Sequence, residues 1–423
     1  EGYRRMILHY ALLAKAAGGV EGFIIGSELR GLTSVRNAAD NFPFVNRLVD
    51  LADDVKSILG GGTKLTYGAD WSEYFGYHPD DGSGDVYFNL DALWASDAIS
   101  AVGIDNYMPL ADFRDEDFVA AHPDGAQIAD DRAALRAAIT AGEGFDWYYP
   151  SLNARNNRNR VPITDGLAGK HWVYRYKDIE GWWSHRHYDR VDGSEVASPT
   201  AWTAKMKPVW FTELGCPAID RGANQPNVFV DAKSAESARP YFSGGMRSDE
   251  TQRRLLSAHH DYWTGEDAPA GMVDARRMFV WTWDARAYPA FPEDEDLYAD
   301  GTNWQTGHWL NGRLGAGTLS ATIARILRDN GIDDFDVSAV SGNLKGYVMG
   351  GQAPVRQLLE PLIAAFRLDA VDVNGVLTFR SRGQVSAPAT VIDVFADLDD
   401  QPRWSEMLAQ DADFAGEAIV DFH

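Results

Sequence analysis

The most constraining feature of this sequence is a pair of short apolar runs, each of which closes on a single glutamate. Residues 209–215 place Glu213 at the end of one run, and residues 23–28 place Glu28 at the end of the other. A strand of a parallel barrel is buried on both faces, so it reads as a continuous apolar run rather than as an alternation. Catalytic groups stand at the C-terminal ends of such strands. The two runs therefore predict barrel strands that present Glu28 and Glu213 at one mouth.

Other apolar runs of the same length alternate with segments of helical spacing. This alternation is typical of parallel βα units. The fold class it predicts is α/β, with a TIM-barrel-like (β/α)₈ architecture followed by a smaller α+β domain. The further strands are predicted at 64–70, 99–105 and 277–284, and the helices at 3–17, 43–59, 90–96, 130–141, 248–263, 318–329 and 355–366.

Two regions interrupt or follow the barrel pattern. Residues 111–206 form a long insertion rich in Trp and Tyr, which predicts a wall or lid over the barrel mouth. Beyond residue 312 the pattern changes, with a strand expected at 345–349 and a hairpin at 368–380 around Asn374-Gly375. We therefore predict two domains, at 1–312 and 313–423.

Composition excludes several classes of function. The 423 residues carry a formal net charge of −23, which opposes nonspecific binding to nucleic acid or to an anionic membrane. No apolar run approaches the roughly 18 residues that a membrane span needs. The single cysteine, Cys216, allows no intrachain disulfide, and it is interpreted as a structural thiol or, alternatively, a reactive one. No phosphate loop, dinucleotide fingerprint or zinc motif is present, so no cofactor and no metal are expected.

Four strand-end motifs, taken in order, resemble the large superfamily of retaining glycosidases on (β/α)₈ barrels. They are residues 26–28, 104–107, 211–215 and 281–284. The resemblance implies that Glu28 ends strand four as the acid/base, that Glu213 ends strand seven as the nucleophile, and that Tyr107 places a hydroxyl near that nucleophile. It also implies that Trp283 forms a sugar-stacking floor. One departure is Ser27, where the superfamily has an asparagine that binds the sugar 2-hydroxyl.

More narrowly, residues 1–312 resemble the glycoside-hydrolase-like barrel region of the tail-tip protein of gene transfer agents, which are phage-like particles. Residues from 313 onward resemble a phage tail hub (attachment) domain, through Gly346-Tyr347 and residues 377–383. The resemblance implies a virion tail-tip location after synthesis in the bacterial cytoplasm, other tail or baseplate proteins as partners, and a homotrimer. By this count strands four to eight are present, which places three strands upstream of Glu1 and a continuation beyond His423.

The remaining candidate residues are weighed against structural alternatives. If Glu28 and Glu213 act as a retaining pair, their carboxyl groups lie about 5–5.5 Å apart, and the acid has a raised pKa. Asp70 and Glu73 form a reserve pair with sugar-binding or surface roles, and Asp105 and Asp284 either bind substrate or cap the structure. His185 and His187 have weak metal-ligand spacing, and the acidic run 292–296 is interpreted as a solvated face. Substrate contacts are predicted at Ser27, Asp70, Trp71, Tyr107, Trp281, Trp283 and Asp284.

Two functions follow from these residues. The first is a retaining glycoside hydrolase module that cuts host cell-surface polysaccharide or peptidoglycan. The second is a catalytically inactive structural or carbohydrate-binding tail protein that keeps the barrel as a scaffold. The geometry of the glutamate pair separates the two, because catalysis needs the two carboxyl groups to face each other.

Overall fold

The computed structural model describes residues 2–38, 40–118, 122–231, 234, 237–284, 286, 290–310, 317–344, 347 and 353–383. Most of the strand predicted at 345–349 lies outside these residues, as do Gly346 and the chain end. The strands are, in chain order, β1 (Gly22–Ser27), β2 (Lys64–Asp70), β3 (Val102–Asn106), β4 (Trp147–Tyr148), β5 (Val161–Pro162), β6 (Arg190–Val191), β7 (Ser194–Glu195), β8 (Val209–Leu214), β9 (Val273–Met278), β10 (Gly317–Thr318), β11 (Phe335–Ala339), β12 (Asn343–Leu344), β13 (Leu368–Val373) and β14 (Val376–Ser381).

The helices follow the predicted positions closely. Pro43 occupies the first turn of its helix and Gly60 ends it, so the bounds 43–59 agree with the prediction. Ser248 and Thr318 each accept a hydrogen bond from a first-turn backbone N–H, which fixes two further helix starts. The helices are α1 (Gly2–Ala16), α2 (Arg30–Thr33), α3 (Pro43–Leu59), α4 (Asp91–Ala95), α5 (Arg132–Ala137), α6 (Leu152–Asn156), α7 (Ile179–Ser184), α8 (Asp249–Trp263), the single turn α9 (Ala290–Glu293), α10 (Leu319–Asp329) and α11 (Val355–Ala365).

A curled parallel sheet organises the chain. Its five strands are hydrogen-bonded in the order β1-β2-β3-β8-β9, and every neighbouring pair is parallel. The curl brings Glu21, just before β1, into an ion pair with Arg277 of β9. Since parallel strands run the same way, the C-terminal ends of all five meet at one mouth. The mixed α/β, TIM-barrel-like fold predicted from the sequence is confirmed.

The two edge strands differ from the prediction of fully buried runs. In β1 only Ile25 is buried, and Ile24 keeps 44% of its surface exposed. Of the run predicted as a strand at 277–284, the strand itself ends at Met278, Phe279 and Trp281 still donate backbone hydrogen bonds to β8, and Trp281 and Trp283 are exposed. The physical reason is position, because β1 and β9 have a strand partner on one side only among the described residues. The proposal that three more strands lie upstream stays a prediction.

The aromatic insertion is held together by its own rings. Trp182 is fully buried and packs against Trp202, His187 and Tyr74, with ring centroids 4.7, 4.8 and 5.4 Å away. Tyr74 belongs to the loop that follows β2, and so the insertion anchors against a loop of the barrel mouth. Most of these aromatic rings therefore serve packing rather than ligand binding.

A second hydrophobic core lies within residues 319–379, and Ile128 is its one buried member from elsewhere in the described part of the chain. Here β13 and β14 pair antiparallel, and β11 joins β14 in parallel. Asn374 and Gly375 both have positive φ, at 55° and 87°, as a two-residue hairpin turn requires. The predicted hairpin is present, while the domain boundary at 312/313 stays a prediction.

No helix in the described part of the chain has the length and apolar character needed to cross a membrane.

Candidate active site

The barrel mouth brings together three carboxyl groups from three different strands. Glu28 follows β1, Asp105 lies in β3 and Glu213 lies in β8. One oxygen of each lies within 4.8 Å of an oxygen of the other two. The two glutamates predicted from the sequence therefore face each other instead of pointing apart.

Asp105 is the buried centre of this cluster. Its two oxygens accept hydrogen bonds of 2.6 Å from the Ser27 and Thr212 hydroxyls, which ties β1 and β8 to β3. Gly68 of β2 makes room for it, since a Cβ at that position would lie 3.0 Å from both carboxyl oxygens. Burial raises the pKa of Asp105, and the two hydroxyls act in the opposite direction. Ser27 was expected to bind a sugar hydroxyl, but its hydroxyl group donates its hydrogen bond to Asp105.

Glu213 is held by a tyrosine, as the resemblance implied. The Tyr107 hydroxyl donates a 2.6 Å hydrogen bond to Oε2 of Glu213. Burial, together with the nearby Asp105 charge, raises the pKa of Glu213 to about 7, although the Tyr107 hydrogen bond lowers it. A raised pKa was expected on the acid, and here it falls on the residue expected to be the nucleophile. Glu213 therefore keeps its proton to a higher pH than an ordinary glutamate does.

The end of β2 carries the other predicted mouth residues. Asp70 accepts a 2.7 Å hydrogen bond from the Ser72 backbone N–H, and the guanidinium of Arg30 lies 3.9 Å away. The Trp71 ring packs edge-on against Tyr176 of the insertion at 4.8 Å. Asp70 and Trp71 are both half-buried at the mouth, where they retain surface for a ligand.

Glu73 has a structural position. It is buried and accepts hydrogen bonds from Thr33, from the Tyr67 hydroxyl and from the Asp70 backbone N–H. Burial raises its pKa to about 7. These bonds join the loop after β2 to α2, so Glu73 stabilises the loop that carries Asp70 and Trp71.

A groove of about 530 Å³, here called the β9 groove, opens beside Glu213 at the end of β9. The Trp281 backbone N–H donates to the Leu214 carbonyl at 2.9 Å, and the ring of His308 packs edge-on against Tyr107 at 5.4 Å. Gly215 permits this approach, because a Cβ there would lie 2.6 Å from the Trp281 carbonyl oxygen. The groove is lined by Phe229, Asp231, Trp281, Thr282, Trp283, Asp284, Arg286, Asp300, His308 and Trp309.

Two groove residues have roles that the sequence did not indicate. Arg286 binds Asp284 with two nitrogens and Asp300 with two, at 2.5–3.0 Å, so the Asp284 carboxylate is already engaged. Buried His308 bonds the Pro226 carbonyl through Nε2 at 2.7 Å, and burial lowers its pKa to about 4. His308 acquires its role through a tertiary contact, whereas Arg286 joins its sequence neighbour Asp284 to the more distant Asp300.

Three minor candidates have ordinary structural positions. His187 is buried between the Asp91 carboxylate and the Trp182 carbonyl, and His185 bonds the Gly181 carbonyl instead of sharing a site with it. Cys216 is fully buried, and burial raises the pKa of its thiol, which favours the structural interpretation. Residues 293–296 of the acidic run are exposed.

Comparison with known proteins places this geometry in a family. Residues 1–292 match the model of the GTA TIM-barrel-like domain. The chain belongs to this family. Residues 354–423 match the model of a putative phage tail protein family, so one chain contains a TIM-barrel-like domain and a phage tail domain. The match to the phage tail family also supports the predicted place in a phage-like particle and the prediction of other tail proteins as partners.

No curated protein matches the chain. One solved structure similar to this GTA TIM-barrel-like chain is that of a GH113 β-1,4-mannanase, at 13% sequence identity and a TM-score of 0.30. The match covers 73% of this chain and 57% of the mannanase chain, so the chain spans little more than half of that structure.

Proposed function

We propose that this GTA TIM-barrel-like module is a retaining glycoside hydrolase of a tail tip. It acts on host cell-surface polysaccharide or peptidoglycan, as part of a homotrimer among other tail and baseplate proteins. The observation that carries the proposal is the convergence of Glu28 and Glu213, with one oxygen of each within 4.8 Å of the other. Two carboxyl groups this close suit double displacement through a covalent glycosyl-enzyme.

The two glutamates and their neighbours at the mouth divide the steps of this reaction. Glu28 protonates the leaving glycosidic oxygen, while an oxygen of Glu213 attacks the anomeric carbon and the glycosidic bond breaks. Water then attacks the same carbon, gives its proton to Glu28 and releases Glu213. Tyr107 orients the attacking carboxylate through its 2.6 Å hydrogen bond. In this proposal Asp70, Trp71, Trp281 and Trp283 contact the sugar rings around the cleaved bond.

The test is covalent trapping. We expect that a panel of 2-deoxy-2-fluoroglycosyl inactivators includes at least one member that adds a single sugar mass, mapped by peptide mass spectrometry to Glu213. The adduct should be absent from Glu213→Gln. An unmodified mass across a broad panel, or an adduct on another residue, would contradict the proposal.

The pH dependence gives an independent prediction, because kcat/KM reports ionisations of the free enzyme. A nucleophile must be ionised, so kcat/KM should fall as the pH drops through about 7, the pKa of Glu213. Tyr107→Phe removes a hydrogen bond that lowers this pKa, and the acidic limb should move to higher pH. Asp105→Asn removes a charge that raises it, and the limb should move to lower pH. Shifts of both variants in one direction would rule out this assignment.

The second candidate function is a carbohydrate-binding tail protein without turnover. The β9 groove favours it independently of the glutamates, because its exposed tryptophans could stack on sugars in an inactive barrel. Glycan-array binding without any covalent adduct would select this function. Host recognition would then be the role of the module.

A further inference from the structure

The charges of the β9 groove indicate which sugars it accepts. Among the described residues that line it, the carboxylates of Asp231, Asp284 and Asp300 accompany one guanidinium, that of Arg286. Arg286 donates hydrogen bonds from Nε and Nη2 to Asp284 and from Nη1 and Nη2 to Asp300, and its Cζ atom lies 3.6 Å from the centre of the Phe291 ring. The cation of the groove is therefore already paired with two carboxylates and is stacked on an aromatic face.

The imidazole of the groove supplies no positive charge either. Because His308 is buried, its pKa falls to about 4, and the ring is neutral at physiological pH. The barrel mouth adds further negative charge next to the groove. The carboxyl groups of Glu28, Asp105 and Glu213 lie there, and Tyr107 and His308 connect the mouth to the groove. A ligand that reaches from the mouth into the groove therefore meets a negative field.

The groove offers apolar surface in place of charge. Trp283 exposes 71% of its surface and Trp281 exposes 46%, while Phe229 and Trp309 complete the aromatic lining. An aromatic face combines an apolar surface with polar edges and suits the C–H face of a pyranose ring. The lining thus binds by stacking, which does not require an ionic group on the ligand.

We propose that the β9 groove takes glycan residues that carry no carboxylate, sulfate or phosphate. This inference rests on the proposed glycan-directed function and names its substrate class. An acidic sugar would place its charge beside the carboxylates of the groove without an available cation among the described lining residues. The repulsion is electrostatic, so it should weaken as salt is added.

The experiment compares matched oligosaccharides that differ only by oxidation at C6. The probes are glucose, mannose and galactose β-1,4-linked hexamers, each paired with its uronate hexamer, and binding is measured calorimetrically on full-length Glu213→Gln so that no turnover occurs. In the pair that binds best, we expect the neutral member to bind at least about tenfold more tightly at low salt. The ratio should shrink to about threefold or less in 1 M NaCl.

Two variants separate the groove from the overall charge of −23. Asp300→Asn removes a groove carboxylate while Asp284 still holds Arg286, and it should reduce the preference for the neutral hexamer severalfold. Asp80→Asn makes the same chemical change at an exposed residue outside the groove, and it should leave the preference unchanged. If the Asp300→Asn variant does not fold, the salt dependence of binding to the Glu213→Gln protein, which keeps Asp300, decides whether the inference holds.

Equal or tighter binding of the uronates would overturn the inference, as would a panel in which no hexamer binds. These results are distinct from failure of the proposed enzyme. Neutral hexamers that bind without any covalent trapping would contradict catalysis and retain the groove assignment. Trapping that succeeds only with acidic inactivators would retain catalysis and overturn the groove assignment.

Discussion

Glu213→Gln should lower kcat by roughly 10⁴–10⁶-fold, the range typical for loss of a covalent nucleophile. The substrate for this measurement is an aryl glycoside of the sugar that forms the covalent adduct in the trapping experiment. The amide keeps an oxygen that can accept the Tyr107 hydrogen bond, so the loss reports the missing charge and not a collapsed site. Steady-state kinetics would measure the loss of activity, and far-UV circular dichroism would show whether the variant keeps its fold. Activity within tenfold of the unsubstituted protein would eliminate Glu213 as the nucleophile.

The same substitution should make the protein more stable at pH 8. The folded-state pKa of Glu213, about 7, lies above its ordinary value of 4.5, so the carboxyl group costs stability progressively as the pH rises from 4.5 through 7. Glutamine has no proton to lose. After allowance for partial solvent exposure, we expect a gain of about 1–2 kcal/mol in the free energy of unfolding at pH 8. The gain should vanish near pH 4.5, which urea titrations at the two pH values would show.

Glu73→Gln is the matched control for activity. Burial raises the pKa of Glu73 to about 7 as well, but its contacts are Thr33, Tyr67 and the Asp70 backbone. The variant should retain kcat within a few-fold. A loss as large as that of Glu213→Gln would show that removal of any buried carboxyl group inactivates the protein, and Glu213 would lose its special role.

Trp182→Ala should have the largest effect on stability. The ring is fully buried between Trp202, His187 and Tyr74, and its removal leaves a cavity that rigid aromatic neighbours cannot fill. We expect a loss of about 3–5 kcal/mol in the free energy of unfolding, measured by urea denaturation.

Trp283→Ala provides the comparison for this loss. It removes an equally large ring that is 71% exposed, so its effect on the free energy of unfolding should stay within about 0.5 kcal/mol. Equal effects of the two substitutions would contradict the division of the tryptophans into a packed set and an exposed set.

Local signals explain what the sequence predicted well. Pro43 and Gly60 bound α3, and Asn374-Gly375 makes the hairpin of β13 and β14, because each residue acts through its own backbone preference. The convergence of Glu28 and Glu213 was also predictable, since parallel strands bring their C-terminal ends together. These predictions needed only local conformation and strand direction.

The features that the sequence did not predict depend on where a residue lies in the folded chain. The apolar run at 277–284 predicts a buried strand, but apolarity alone cannot distinguish a strand interior from an exposed aromatic surface. Similarly, Asp105 has the same strand-end position as Asp70, yet only Asp105 is enclosed by the Ser27 and Thr212 hydroxyls. His308 gains its role from the Pro226 carbonyl, a distant partner that no local pattern specifies.

Among the described residues β1 and β9 pair with another strand on one side only, and this has a consequence for how copies of this chain behave in solution. Outer backbone N–H and C=O groups on such strands are templates for intermolecular strand addition, and exposed Ile24 adds apolar surface at one of them. The formal charge of −23 keeps copies apart, but this repulsion extends only about 8 Å at physiological ionic strength. Colloidal stability of the isolated chain therefore depends on ionic strength, with dilute buffer favouring dispersed molecules and salt favouring self-association.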